Sequence, residues 1–209
     1  DIAVLSVRWN AHQENNSPST IIEICGRSRN GLSVIAFVNG FRPGIEISIP
    51  GICKDPNQLP DDIERQIESV KNMDGINAVH EPIIKWTDLG EKKHWWIEVE
   101  QPFMVPRLRE KLKERWTLSS ADIPFGNRFF LDQDIGPHIH ISGELLHSAE
   151  QPGDADAIRK KGGTGVYPVD IMISTDRNGV ATIKPFHAPW ILFSFDLETS
   201  IENDSILCA

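Results

Sequence analysis

The chain has 209 residues, of which 40% are hydrophobic and 24% charged, and its formal net charge is −9. These values are ordinary for one large or two small globular domains, and the negative charge argues against a protein that is coated by nucleic acid. Because no apolar run approaches a membrane span and no signal peptide is visible, we expect a cytoplasmic protein without membrane contacts.

The first part of the chain has the composition of β-strands. Three segments rich in Val, Ile and Leu are separated by polar or glycine-containing turns: residues 2–9, 20–25 and 32–38. The pair Asn30-Gly31 before the third segment is typical of a tight hairpin turn. Ile45, Ile47 and Ile49 then alternate with other residues, which predicts a further strand.

Two helices and more strands follow. Apolar residues at helical spacing predict a helix over residues 61–73, and Pro106 is placed as at the start of a second helix. The intervening and following strands are predicted at residues 76–86, 94–100 and 118–121. From residue 32 the order is strand, strand, helix, strand, strand, helix, strand, which is typical of a split βαβ, ferredoxin-like fold. We therefore predict an α+β protein whose ferredoxin-like N-terminal domain carries additional β-strands.

Residues 137–188 are predicted to add an extra hairpin and loop to this domain. Residues 147–168 are polar and rich in glycine, which is typical of a long exposed loop. The segments 169–174 and 181–184 flank a turn at residues 176–179, and we expect them to pair as a hairpin. We expect the whole region to pack beside the N-terminal sheet.

The apolar segment of residues 190–195 is followed by Asp196 and Glu198. On a strand these two carboxylates point to the same side, where they repel each other unless a cation lies between them. Paired divalent metals about 4 Å apart are a common device for phosphoryl transfer. Asp196 and Glu198 are therefore candidate metal ligands. The alternative is that they end a strand and face solvent.

A basic segment lies in the predicted second helix. Residues 107–115 carry five basic and two acidic side chains. Local patches rather than overall charge decide phosphate contacts. We therefore expect contacts to DNA phosphates from Arg107, Arg109, Lys111 and Lys113. The alternative is an ordinary solvated helix face.

Three segments occur in one order along the chain: Gly40-Phe-Arg-Pro43, residues 121–132 (Ala-Asp-Ile-Pro-Phe-Gly-Asn-Arg-Phe-Phe-Leu-Asp) and Phe195-Asp-Leu-Glu-Thr199. Together with a Pro-x-x-Val-Pro stretch that begins at Pro102, they resemble the N-terminal region of an archaeal-type family B DNA polymerase. The resemblance implies that residues 1–136 form the template-reading N-terminal domain. It also implies that residues 189–209 begin a 3′–5′ exonuclease domain, with the first strand of an RNase H-like fold.

The resemblance implies an activity for a longer parent enzyme. That enzyme is a DNA-directed DNA polymerase, which extends a primer-template with dNTPs, proofreads with Mg²⁺ and works with a sliding clamp. Asp196 and Glu198 match the first carboxylate pair of its exonuclease motifs. The remaining carboxylates of both active sites are not in this chain, so we expect the chain by itself neither to polymerise nor to degrade DNA. We also expect it to be monomeric.

Archaeal members of this family use the N-terminal domain to read the template ahead of the polymerase site and to stall at uracil. The matching pocket positions in this chain are Trp9, Pro43, Pro102, Val105, Pro124, Phe125 and Arg128. A base taken out of its stack needs a narrow apolar slot and a few polar contacts, which this set supplies. The chain departs from the family at three places. Gly44 stands where Tyr is usual, Trp9 where Tyr is common, and Phe103-Met104 replaces a polar pair.

Other interpretations remain open from the sequence. The prolines and Phe125 are also suited to turns and to a core, with Arg128 paired to a nearby carboxylate. The chain as a whole also fits a stand-alone nucleic-acid-binding module or an inactivated polymerase paralogue. A third interpretation is an unrelated ferredoxin-like protein with a chance Asp-x-Glu, which requires four coincidences in order.

Overall fold

The computed structural model describes residues 1–14, 17–49, 62–88, 90–119, 121–148, 157–159, 166–190, 198–199 and 206–208. Within these ranges the protein is a mixed α+β structure with two larger sheets and three α-helices. No helix in the described part of the chain is long and apolar enough to cross a membrane.

The elements, in chain order, are β1 (Ile2–Glu14), β2 (Ser17–Ser28), β3 (Ser33–Asn39), β4 (Gly44–Ser48), α1 (Ile63–Lys71), β5 (Ile76–Val79), β6 (Ile83–Thr87), β7 (Gly90–Val99), α2 (Met104–Leu112), β8 (Thr117–Ser119), α3 (Phe125–Asp132), β9 (His138–Ile141), β10 (Glu144–Ser148), β11 (Ala157–Arg159), β12 (Val166–Pro168), β13 (Ile171–Asp176), β14 (Val180–Thr182), β15 (Glu198–Thr199) and β16 (Ile206–Cys208). β11 pairs with β12, and β15 pairs with β16, as separate two-stranded ladders.

The first sheet closes on itself. Its strand order is β10-β13-β3-β2-β1-β9-β14, and β13 runs parallel to β3 while the other pairs are antiparallel. Only Ser142 and Gly143 separate β9 from β10, and only the single turn Arg177–Gly179 separates β13 from β14. The Ser142 amide donates to the Gly179 carbonyl at 2.8 Å, so the two bent strands stay paired across their bends. The result is a five-stranded barrel in the order β1, β2, β3, β13–β14, β9–β10.

The interior of the barrel is filled by alternating residues of its strands and by α3. Side chains two apart on a strand share a face, which places Ile22 and Ile24 of β2 inside. Phe125 and Phe129 of α3 insert into the same cluster. The buried members of this core are Ile2, Ile22, Ile24, Val34, Ala36, Val38, Phe41, Phe125, Phe129, Ile139 and Val180.

The second sheet lies within the connection between β3 and β9. Its strand order is β5-β7-β4-β8 with β6 also paired to β7, and every pair is antiparallel. Helices α1 and α2 cover one face, because their apolar residues recur at helical spacing. The buried core between helices and sheet consists of Ile45, Ile47, Ile63, Ile67, Val70, Trp95, Ile97, Val99, Leu108, Leu112 and Trp116.

Several predicted elements differ from the structure. The strand predicted at residues 32–38 is β3 of the barrel rather than part of the second sheet. The segment 76–86 is divided into β5 and β6, with Pro82 in the break, and a proline cannot donate to a sheet ladder. The second helix begins at Met104, so Pro106 lies in its first turn, where its missing N–H costs nothing.

The hairpin predicted for residues 169–174 and 181–184 is wrong. β13 pairs with β3 and β10, whereas β14 pairs with β9. The Asp176 carboxylate accepts hydrogen bonds from the amides of Asn178 and Gly179, and this short turn sends the chain onward instead of back. Strands of the predicted extra region 137–188 thus complete the barrel. Most of the predicted loop 147–168 and of the predicted strand 190–195 lies outside the described residues.

Candidate functional site

A cavity of about 330 Å³ lies where the barrel meets the second sheet. We call it the first cavity. β1, the start of β4, the segment before α2, α2 itself and α3 all contribute to its wall. It brings together all seven residues predicted from the resemblance: Trp9, Pro43, Pro102, Val105, Pro124, Phe125 and Arg128. The remaining wall residues are Gly44, Phe103, Pro106, Arg109, Ala121, Asp122 and Ile123.

One wall of the first cavity is aromatic. The rings of Trp9 and Phe125 meet edge to face, with centroids 6.4 Å apart. Phe41 stacks behind Phe125 at 5.3 Å, and Phe125 is itself buried in the barrel core. Trp9 is 38% exposed, although it lies beside the barrel core. Phe125 is thus both a core residue and a wall residue, while Trp9 offers an accessible face.

Other parts of the wall are built by prolines and Val105. Pro43 and Pro102 are buried, and Pro124 is the residue that precedes the first turn of α3. Prolines have a fixed φ and no amide N–H, so they make rigid surfaces without donors. The first amides of α3 have no partner within the helix and begin at the edge of this cavity. Rigid apolar walls and a few backbone donors are therefore combined in one place.

Arg128 is held in a defined position. Its guanidinium contacts the Asp132 carboxylate at 2.7 Å, one helical turn further along α3. The Trp96 ring, on β7, lies against the guanidinium, with 4.7 Å from the guanidinium carbon to the ring centroid. The Arg128 side chain is only 12% exposed. The alternative role considered for Arg128, pairing with a nearby carboxylate, is thus observed together with its place in the cavity.

Gly44 explains how Trp96 comes to lie there. A Cβ atom at residue 44 would be 2.3 Å from the carbonyl oxygen of Ile97 and 2.6 Å from the Trp96 ring. The space that a side chain at residue 44 would need is therefore occupied by β7 and by Trp96. A tyrosine at this position, as is usual in the family that the sequence resembles, would have no room in this chain.

Trp96 and Asp132 were not among the predicted site residues. Asp132 lies four residues after Arg128, a spacing at which opposite charges pair on a helix, but no helix was predicted for this segment. No pattern of neighbouring residues in the sequence marked Trp96 as a site residue. Its position depends on the register of two strands that are distant in sequence, in which Gly44 lies opposite Glu98.

The four predicted phosphate contacts do not form a single row. Arg109 lines the first cavity, whereas Arg107 and Lys111 line a small cavity on another side of α2. Lys113 and Arg109 both contact Glu110. The hydrogen bond from Lys113 is the main reason why the pKa of Glu110 lies below its usual value. Of the predicted basic patch, Arg109 is the member placed to act together with the cavity.

The candidate metal ligands cannot be placed in the same way. Asp196 lies outside the described residues, and of Glu198 only the backbone is described, in β15. Within the described residues there is no group of three or more His, Cys, Asp or Glu side chains arranged to hold a metal ion. The role of Asp196 and Glu198 therefore stays a prediction.

The comparisons with known proteins found a similarity in structure. No family model matches the sequence, and no curated protein matches it. Among solved structures, the family B DNA polymerase from the hyperthermophilic archaeon Pyrobaculum calidifontis is similar, with a TM-score of 0.54 and 14% sequence identity. The similarity covers 90% of this chain and 21% of that polymerase chain. The protein therefore shares the fold of about a fifth of an archaeal family B DNA polymerase.

Proposed function

We propose that this chain is the N-terminal, template-reading region of a family B DNA polymerase and that the first cavity binds one unpaired base of the template strand. The observation that carries the proposal is the convergence of the seven predicted residues on one cavity. These residues come from four separate stretches of the sequence. If these residues served only to pack the core, Trp9 and Arg128 would not be expected to line an open cavity.

The chemistry of the first cavity suits a pyrimidine base. Its volume is near the lower end of the range for small-molecule sites, which suits a ligand of the size of a nucleobase. The accessible face of Trp9 supplies a surface for stacking, and stacking on an aromatic residue contributes about 1–3 kcal/mol per base. Backbone amides at the start of α3 supply donors for the carbonyl oxygens of the base.

We propose uracil as the preferred base. Thymine differs from uracil by one methyl group, and rigid walls of proline and valine have little freedom to move aside for it. A single methyl or methylene in a tight apolar pocket is worth about 1–3 kcal/mol, or about 10–200-fold in binding. The departures at Gly44, Trp9 and Phe103-Met104 change the wall, so this preference needs a direct measurement.

The first test is binding of the chain to single-stranded DNA. Fluorescence anisotropy would compare oligonucleotides that carry a single deoxyuridine, thymidine or abasic site in an otherwise identical sequence. We expect the deoxyuridine strand to bind at least about tenfold more tightly than the thymidine strand. Equal affinities for all three strands would exclude a base pocket.

Matched tryptophan variants locate the site. Trp9→Ala removes the stacking surface of the first cavity and is expected to abolish the preference for deoxyuridine. Trp86 on β6 is 79% exposed and does not line the cavity. Trp86→Ala is therefore the control, and we expect it to leave the preference unchanged. Equal losses from both variants would mean that the DNA binds elsewhere.

The proposal also covers the longer parent enzyme and the ferredoxin-like and RNase H-like parts of the fold. The order β5-β7-β4-β8, with all neighbours antiparallel, supports a ferredoxin-like unit. We propose that Asp196 and Glu198 begin an RNase H-like exonuclease with bound Mg²⁺, and that the parent enzyme extends primer-templates with dNTPs. The chain alone is expected to show no nuclease activity. Mg²⁺-dependent degradation of DNA by the purified chain, abolished by Asp196→Ala, would contradict this.

A further inference from the structure

A second cavity of about 210 Å³ lies next to the first. The two cavities share a partition, since Trp96 lines the second cavity and stacks on Arg128 of the first. The backbone also links them, because Arg42 lines the second cavity and Pro43 the first. The remaining wall of the second cavity is formed by Gly40, Phe41, His80, Glu98, Asp132, Gln133 and Arg177.

Two arginines and two carboxylates line the second cavity. Arg42 and Arg177 are exposed, and no carboxylate of the described residues forms an ion pair with either of them. Two arginines without such partners are notable on a protein whose net charge is −9. The planar fork of a guanidinium matches the oxygens of a phosphate group.

The carboxylates beside these arginines already have partners. Glu98 contacts His80 at 2.9 Å and accepts a hydrogen bond from Asn77 at 2.6 Å. Asp132 is paired with Arg128 at 2.7 Å. Asp132 is therefore compensated by Arg128, and Glu98 is held in place by its two contacts. With Arg128 included, three guanidinium groups face two carboxylates, so the charge offered to a ligand comes from Arg42 and Arg177.

The shape of the site favours a nucleotide over a free anion. Trp96 provides an aromatic wall, and single-stranded nucleic acids are commonly held by aromatic side chains next to basic ones. Resting on the proposed function, we infer that the second cavity holds the nucleotide next to the one whose base lies in the first cavity. Arg42 and Arg177 bind the phosphate between these two nucleotides.

The first experiment changes the DNA and leaves the protein intact. A methylphosphonate removes the charge from one chosen linkage of a deoxyuridine oligonucleotide. The methylphosphonate is placed in turn at each of the two linkages that flank the deoxyuridine. At one of them it is expected to lower the affinity of the unmodified protein by about tenfold, as for loss of a charge-assisted contact. The same substitution three linkages away is the control. Equal effects at all linkages would overturn the inference.

The second experiment couples the protein to the DNA. In Arg42→Gln/Arg177→Gln the methylphosphonate should have no further effect, and the slope of log affinity against log salt should be smaller by about 0.7, as for one phosphate of a single strand. The charge-matched control is Arg65→Gln/Arg115→Gln, two exposed arginines on the helical layer that line neither cavity. A methylphosphonate effect that is as large in the variant as in the unmodified protein would refute the role of Arg42 and Arg177.

The two proposals fail in different ways. If deoxyuridine, thymidine and abasic strands bind equally, the base pocket is wrong and the strand has no fixed register, yet a smaller salt slope for Arg42→Gln/Arg177→Gln than for Arg65→Gln/Arg115→Gln would still support phosphate binding in the second cavity. If the preference holds and the coupling is missing, only the second cavity is wrong. No binding of single-stranded DNA at all would overturn both.

Discussion

Replacing Gly44 by alanine is expected to disturb the partition between the two cavities. The new Cβ atom would lie 2.3 Å from the Ile97 carbonyl oxygen, 2.6 Å and 2.8 Å from two atoms of the Trp96 ring. The oxygen belongs to the backbone of a central strand, so it cannot move without shifting β7. The indole can rotate away, but then it leaves Arg128. Both the sheet and the partition must therefore adjust.

The magnitude follows from these two adjustments. Forcing a backbone shift in a well-packed region costs about 1–3 kcal/mol. Loss of the contact between Trp96 and Arg128 adds about 0.5–2 kcal/mol. We expect a destabilisation of about 3 kcal/mol, which for a chain of this size corresponds to a fall in Tm of about 6–12 °C.

The assay is thermal unfolding followed by circular dichroism, with tryptophan fluorescence as a second reading of the indole environment. Gly126→Ala is the matched control, because it makes the same chemical change near the first cavity. There the new Cβ would be 3.3 Å from a Val7 methyl group and 3.5 Å from the Val7 carbonyl oxygen, which is close to ordinary contact, and alanine is favoured over glycine in α3. A Tm for Gly44→Ala within about 2 °C of the unmodified protein would contradict this prediction, since about 1 kcal/mol shifts the Tm by about 2–4 °C.

Three further predictions concern the barrel core, the position of Arg128 and the Cys25 thiol. Phe129→Ala removes a fully buried ring from the barrel core. It should cost about 3–5 kcal/mol in denaturant unfolding, whereas Phe103→Ala, at an exposed site, should cost far less, and similar losses would contradict the packing. Asp132→Asn removes the charge that holds Arg128 and should lower stability by about 1 kcal/mol. It should also reduce the preference for deoxyuridine over thymidine, while Asp134→Asn, at a left-handed residue that asparagine tolerates, should not. Burial raises the pKa of the Cys25 thiol. Less of it is thiolate at pH 8 than in the unfolded chain, so peptide mapping after maleimide treatment should find slower labelling of Cys25 in the folded protein. Equal rates would refute its burial.

Local patterns predicted much of the secondary structure. The strands near the N-terminus and α1 were expected, because alternation and helical spacing depend only on neighbouring residues. Closure of the barrel was not expected, since it depends on β13 finding β3 and on β9 finding β1. The same limit applies to the site. The wall residues were found through short motifs, whereas Trp96 reaches Arg128 only through the register of β4 and β7.

The barrel is interrupted in sequence by the unit that it packs against. Ile2 pairs with Ile139 and Val34 pairs with Ile171, so the ring has a high contact order. The inserted sheet closes within residues 44–119 and needs much shorter loops. During synthesis on the ribosome, that sheet can form while the barrel still lacks its last strands. The first cavity takes its wall from both units, so we expect it to reach its final form only after the barrel closes, once β14 has emerged.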